Sequence, residues 1–230
     1  MGHWANIKAI AFDLDGTLID SVPDLAAATN ATLVEFNLPP VSEDLVRSWV
    51  GNGAQILMQR ALSFVCAQAQ DSQEIQVKLE QTMPRFMHHY GEHLQQHSLL
   101  YSDVLAVLQQ LKQAGYKLAV VTNKPYRFTI PLLHSFGLDG LFSDVLGGDS
   151  LAKMKPDPMP LQHLLAKWQV SSSQFLMVGD SKNDILAAKA ANVMSIGLTY
   201  GYNYGEDIGL SEPDAVCENF SELRQYLLSH

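Results

Sequence analysis

Short apolar runs separated by amphipathic stretches dominate the chain from about residue 100 onward. Leu118 to Thr122, Val145 to Gly147, Phe175 to Val178 and Met194 to Leu198 read as buried strands, and so does the run Ile7 to Phe12 near the start. Apolar runs of strand length that alternate with helices predict a parallel sheet with a helical layer on each face. The helix ends are legible too. Ser102 is placed to cap a helix over Asp103 to Ala114 that Gly115 stops, and Pro125 opens another that Gly137 closes.

Between Asp20 and about His97 the period changes. No convincing strand occurs, and Asp24 to Phe36, Gln55 to Ala69 and Gln73 to Leu94 are amphipathic at helical spacing, which predicts an inserted helical bundle. Pro39-Pro40 and Gly51-Asn52-Gly53 divide it into separate helices. The expected organisation is a doubly wound, Rossmann-like α/β core over residues 1–19 and 98–230, with a small α-helical cap over 20–97. Neither an internal repeat nor a low-complexity segment interrupts it.

Composition narrows the function classes. With 230 residues and 47% hydrophobic content the chain can bury a large core. A net charge of −9 and the lack of any Lys/Arg run argue against a nucleic-acid partner. Cys66 and Cys217 are far apart and show no metal-ligand spacing, which suits a reducing cytoplasm and a filling role. No apolar stretch reaches the roughly 18 residues of a membrane span, and no basic-then-apolar leader opens the chain. Met1-Gly2-His3 is compatible with a partial cloning remnant, and a monomer or small homo-oligomer is expected.

Chemistry is most concentrated at Asp13-Leu14-Asp15-Gly16-Thr17, where the first strand ends. Side chains alternate along a strand, so Asp13 and Asp15 leave it on the same side. Two such carboxylates can divide nucleophilic or cation-holding work from proton transfer; the alternative is a solvated Asp-Gly turn. Other strand ends add Thr122-Asn123, and later Lys155-Pro156 and Gly179-Asp180-Ser181-Lys182-Asn183-Asp184. In a parallel sheet ligands bind beyond the carboxyl ends of the strands, so Asp13, Asp15, Thr122 and Asp180 can meet there. Ser181 and Asn183 fit caps of the helix running toward Ala191. His88, His89, His93 and His97 lack an accompanying carboxylate or Cys at matching spacing and read as solvated helix side chains.

The ordered set Asp13-x-Asp15, Thr122, Lys155 and Gly179-Asp180-x-x-x-Asp184 resembles the haloacid dehalogenase superfamily of phosphatases, and the insertion after the first motif resembles that family's helical cap. Val121-Thr122-Asn123-Lys124-Pro125, Gly147-Gly148-Asp149 and Gly197 to Asn203 extend the likeness over nearly the whole chain. Tyr101-Ser102-Asp103-Val104 departs from it, since a Pro-Gly pair is expected there. The resemblance implies a cytoplasmic Mg²⁺ enzyme acting on a small phosphorylated carboxylic acid, 2-phosphoglycolate, to give glycolate and phosphate.

Phosphate monoesters hydrolyse so slowly that covalent catalysis and strong charge stabilisation are called for. Asp13 is then the expected nucleophile, Asp15 the acid and base, Thr122 and the Asn123 amide the holders of phosphate oxygens, and Lys155 the point cation. Asp13, the Asp15 carbonyl and Asp180 are the expected Mg²⁺ ligands, with Asp184 either binding through water or orienting Lys155. For the substrate carboxylate, the helix start after Gly51-Asn52-Gly53 and Arg60 two turns along are the candidates. Competing readings are a sugar-phosphate phosphatase or phosphomutase of the same superfamily, and a phosphoaspartate signalling receiver domain. A receiver has no use for the helical insertion. A dehalogenase proper, which resembles a family lacking the second aspartate, does not fit Asp15.

Overall fold

The computed structural model describes residues 3–66 and 72–228; Met1-Gly2 and the expected helix end at 67–69 lie outside the described residues. Six parallel strands form the main sheet: β1 (Ala9–Phe12), β4 (Lys117–Val121), β5 (Asp144–Leu146), β6 (Phe175–Gly179), β7 (Met194–Leu198) and β8 (Ala215–Cys217). Their spatial order is β5-β4-β1-β6-β7-β8. β1 lies inside, with Phe12 level with Val120 on one side and Val178 on the other. The winding reverses beside β1, so the crevice beyond its carboxyl end is where a doubly wound sheet receives ligands.

Strand alternation explains the two helical layers. Ile10, Phe12, Leu118, Val120, Leu176 and Val178 face one core, built with α5 (Val104–Gln113), α6 (Tyr126–Ser135) and α9 (Phe220–Leu228). Ala9, Ala11, Ala119, Val121, Phe175 and Met177 face the other, against α7 (Met159–Trp168) and α8 (Lys182–Ala191). Every residue of β1 is fully buried, which is why the run carries no polar face in the sequence.

The insertion holds α1 (Val22–Glu35), α2 (Glu43–Trp49), α3 (Ala54–Val65) and α4 (Ser72–His93). A two-stranded antiparallel ribbon joins it to the core: β2 (Ile19–Asp20) enters and β3 (Leu99–Leu100) returns. The buried Asp24 carboxylate strengthens this neck by accepting from the His97 and Ser98 amides and the Ser98 hydroxyl. Leu57, Met58, Leu62, Phe86 and Tyr90 are at most 2% exposed and supply the apolar stripe seen at helical spacing.

Two local expectations are corrected. Ser102 does not cap α5. Asp103 does, at φ 64 and without a side-chain cap, its carboxylate instead accepting from the Ser221 hydroxyl. Asn183 is not a cap either. Ser181 alone caps α8, sharing a capping box with Asp184, while the Asn183 amide reaches the insertion. The thiol of Cys217 is buried, and burial pushes it up to about 12.

Candidate active site

The Asp13 carboxylate emerges from β1 with Oδ1 accepting from the Leu14 amide at 2.7 Å. Lys155 Nζ stands 3.0 Å from the same oxygen and donates to Asp184 Oδ1 at 2.5 Å. Asp184 Oδ2 accepts from the Ser181 amide, so each oxygen of Asp184 has a hydrogen-bond partner, one of them Lys155. Asp180 accepts from the Thr17 hydroxyl on one oxygen and from the Tyr202 amide on the other, at 2.6 and 2.8 Å. Oxygens of Asp13, Asp180 and Asp184 lie within 4.8 Å of one another.

Such crowding has an electrostatic consequence. Burial, and then the neighbouring carboxylates, push the Asp13 carboxyl up to about 7 despite Lys155, and push Asp180 well above its ordinary range. Lys155 is raised even though burial opposes its charge, because Asp13 and Asp184 outweigh that cost. The cluster contains more buried negative charge than one lysine balances, and all its donors are hard oxygens. That is the donor set a small divalent cation takes, and among the described residues it is the one such group. The four histidines form no such group among the described residues, but two expectations about them are corrected. Glu92 does stand at helical spacing, 3.6 Å from both His88 and His89, and His97 lies beyond the end of α4. His89 also pairs with the exposed Glu35 at 2.7 Å, and His93 meets Gln96.

Asp15 has a separate set of partners. Its Oδ1 accepts from the Ser21 hydroxyl at 2.6 Å and from Lys124 Nζ at 2.8 Å, and Oδ2 lies 3.2 Å from the same ammonium. Lys124 also donates to the Tyr90 hydroxyl, which α4 delivers from the insertion. Lys124, Tyr90, Thr17 and Tyr202 were not singled out as site residues by sequence reasoning. Lys124 follows Thr122-Asn123 directly and Tyr202 lies within the Gly197–Asn203 segment, which were the available signals; Tyr90, in the insertion, gave none.

Thr122 is buried, and its hydroxyl accepts from the Lys124 amide at 3.2 Å, shaping the turn after β4. Both side-chain amide hydrogens of Asn123 are committed, to the Lys155 and Gly51 carbonyls. What Asn123 can still offer a phosphate oxygen is its backbone N–H. The Gly51 carbonyl also accepts from Asn183 Nδ2 at 3.1 Å, and Tyr204 OH donates to Asn52 Oδ1 at 2.7 Å. Two core loops thereby hold the Gly51–Gly53 turn over the site. The α3 start that follows, at Gly53, has no side-chain cap.

A cavity lies between these groups, lined by Asp13, Asp15, Lys124 and Thr122 on the core side and by Gly51, Gly53, Ala54, Leu57 and Tyr90 on the other. Arg60 is not part of it. Its guanidinium donates to the Trp49 carbonyl at 2.6 Å and to Asn52 Oδ1 at 2.8 Å and stacks on Tyr204, beside a separate surface cleft. Arg60 was expected to read a carboxylate; here the Trp49 carbonyl at the end of α2 holds its guanidinium beside the separate cleft and outside this cavity. Asn52 likewise turns to Arg60 and Tyr204 and away from the cavity.

Residues 10–198 match the family model of haloacid dehalogenase-like hydrolases. A phosphoglycolate phosphatase of Haemophilus influenzae (strain 86-028NP) is 50% identical over 217 residues, covering 94% of this chain and 96% of that protein. One of Pasteurella multocida (strain Pm70) is 50% identical over 216 residues, with the same coverage. The crystal structure of a "predicted phosphoglycolate phosphatase" from Haemophilus somnus 129PT superposes with a TM-score of 0.90 at 46% identity, covering 95% of this chain and 97% of that one.

Proposed function

The chain belongs to the haloacid dehalogenase-like hydrolase family, and on that premise we propose that it hydrolyses 2-phosphoglycolate to glycolate and phosphate through a phosphoaspartate on Asp13. The observation that carries this reading is the division of labour at the end of β1: Asp13 is held by Lys155, while Asp15 has its own partners in Ser21 and Lys124. One carboxylate is thus set for attack on phosphorus and the other for proton transfer.

The steps balance on these residues. Asp13 Oδ2 forms a bond to phosphorus as the ester P–O bond breaks, and Asp15 delivers a proton to the departing oxygen of glycolate. Water then attacks phosphorus, gives its proton to Asp15, and releases phosphate with Asp13 restored. Lys155, fixed by Asp184, stays beside the charge spreading over the phosphoryl oxygens. Thr122 Oγ1 and the Asn123 backbone N–H hold those oxygens.

Asp13 and Asp180 of the acidic cluster, with Asp184 beside them, and the Asp15 carbonyl would hold Mg²⁺, which would supply charge neutralisation to a phosphate dianion entering a carboxylate cluster. Identity of 50% over most of the chain to two phosphoglycolate phosphatases supports a two-carbon acid over a sugar phosphate. The test is phosphate release from 2-phosphoglycolate, glucose 6-phosphate, phosphoserine and nucleoside monophosphates, each with EDTA and with Mg²⁺ added back. Preference for 2-phosphoglycolate, lost in EDTA and restored by Mg²⁺, is the expected result; preference for a sugar phosphate would sink the substrate assignment.

A further inference from the structure

We propose that Lys124 Nζ and the Tyr90 hydroxyl together form the receptor for the substrate carboxylate, an inference that rests on the reading of the site given above. In 2-phosphoglycolate a single methylene separates the carboxylate from the ester oxygen. Whatever reads the carboxylate must therefore stand within a few ångströms of Asp15, the group that serves that oxygen. Lys124 does, at 2.8 and 3.2 Å from the two Asp15 oxygens. It is also the one cation among the described residues lining the cavity. Lys155 is taken up by Asp13 and Asp184, and Arg60 is turned to the outer side of its loop.

The hydrogens add up to a two-donor fork. An ammonium carries three. One serves Tyr90 and one the short contact to Asp15, so the third, on the longer contact, is the one a ligand can take. Tyr90 accepts from Nζ and keeps its own hydrogen, because burial raises the phenol's pKa even though Lys124 opposes it. A carboxylate arriving from the cavity meets an N–H and an O–H side by side, with Leu25, Val50 and Leu57 among the lining residues. Lys124 comes from the core and Tyr90 from α4 of the insertion, so the receptor is complete only when the two parts are together. The ring of Tyr90 is fixed from both sides, stacked on Phe86 and edge-on to Phe128.

The experiment compares kcat/KM for 2-phosphoglycolate with that for ethyl phosphate, which matches it in length without the carboxylate, in the parent, Tyr90→Phe and Lys124→Met. Tyr90→Phe keeps the ring's packing and the Lys124–Asp15 pair, so it folds. It should raise KM for 2-phosphoglycolate about tenfold, the effect of one hydrogen bond to a charged group, and slow ethyl phosphate by a clearly smaller factor, through the loss of an acceptor for Lys124. Lys124→Met should damage both substrates, since Asp15 loses a partner, yet cut the preference for the carboxylated one by a further tenfold or more. A parent preference that survives in both variants would overturn this inference alone and reduce Lys124 and Tyr90 to supports of Asp15. A parent with no preference would overturn the substrate reading along with it.

Discussion

Lys155 donates to Asp184 at 2.5 Å, with both side chains at most 1% exposed, although 29 residues separate them in the chain. Water cannot replace either partner, so the pair fixes where the ammonium stands relative to Asp13. Replacing Asp184 with Asn keeps the shape and the bond to the Ser181 amide but leaves the lysine half-compensated. Breaking a buried pair costs about 3 kcal/mol or more. We expect Asp184→Asn to show that loss in denaturant unfolding and a fall in kcat of about a hundredfold. Unchanged kcat would mean Lys155 needs no such support.

Asp13→Asn should abolish turnover, because an amide is a poor nucleophile, while the melting temperature stays within a few degrees of the parent. Asp15→Asn should lose about 10² to 10⁴ in kcat, as removal of an acid–base group does. Folded Asp13→Asn protein that retains a tenth of the parent rate would contradict attack by Asp13.

Gly16 has φ +87, and a Cβ there would stand 2.3 Å from Asp180 Oδ2. Alanine at this position is strained by its backbone and collides with the cluster's acceptor. Gly16→Ala should therefore weaken Mg²⁺ activation, seen as a rise of at least tenfold in the Mg²⁺ concentration for half-maximal rate. An unaltered Mg²⁺ dependence would show that Asp180 can shift without consequence.

The metal-free protein should become less stable as pH rises toward neutrality. Asp13 is held near 7, so between about pH 4 and 7 the folded state keeps a proton that the unfolded chain has released. The unfolded state then binds fewer protons, and unfolding free energy falls with increasing pH. In EDTA the melting temperature should be higher at pH 5.5 than at pH 7.5, with the difference shrinking in Asp13→Asn, which isolates this group from other titrations. Mg²⁺ should stabilise more at pH 7.5 than at 5.5, because it competes with the same protons. A pH dependence identical in parent and variant would contradict the assignment.

Arg60→Ala should slow 2-phosphoglycolate and ethyl phosphate equally, by a few-fold. Arg60 braces the Gly51–Gly53 turn through the Trp49 carbonyl and Asn52, and loosening that turn affects any phosphoester. Selective loss with the carboxylated substrate alone would restore Arg60 as a direct reader.

The parallel sheet is legible in the residues alone, because β1, β4, β6 and β7 are buried on both faces and must read as largely uninterrupted apolar runs. Asp13, Asp15, Thr122 and Asp180 were legible too, since each stands at a strand's carboxyl end, the side on which a parallel sheet gathers its ligands; Lys155 and Asp184 entered through the family resemblance. The two-residue strands β2 and β3 left no trace, since a period cannot show in two positions. Which partner each charged group takes follows from the packing of distant segments. Arg60 lies at the right spacing on its helix, but the direction of a long side chain is set by the nearest unsatisfied carbonyl, and here that belongs to Trp49. Lys124 and Tyr90 meet because the neck at Asp24 and the turn at Gly51 bring α4 down onto the core. Such a contact between side chains 34 residues apart depends on how the insertion packs on the core, and no local pattern encodes that.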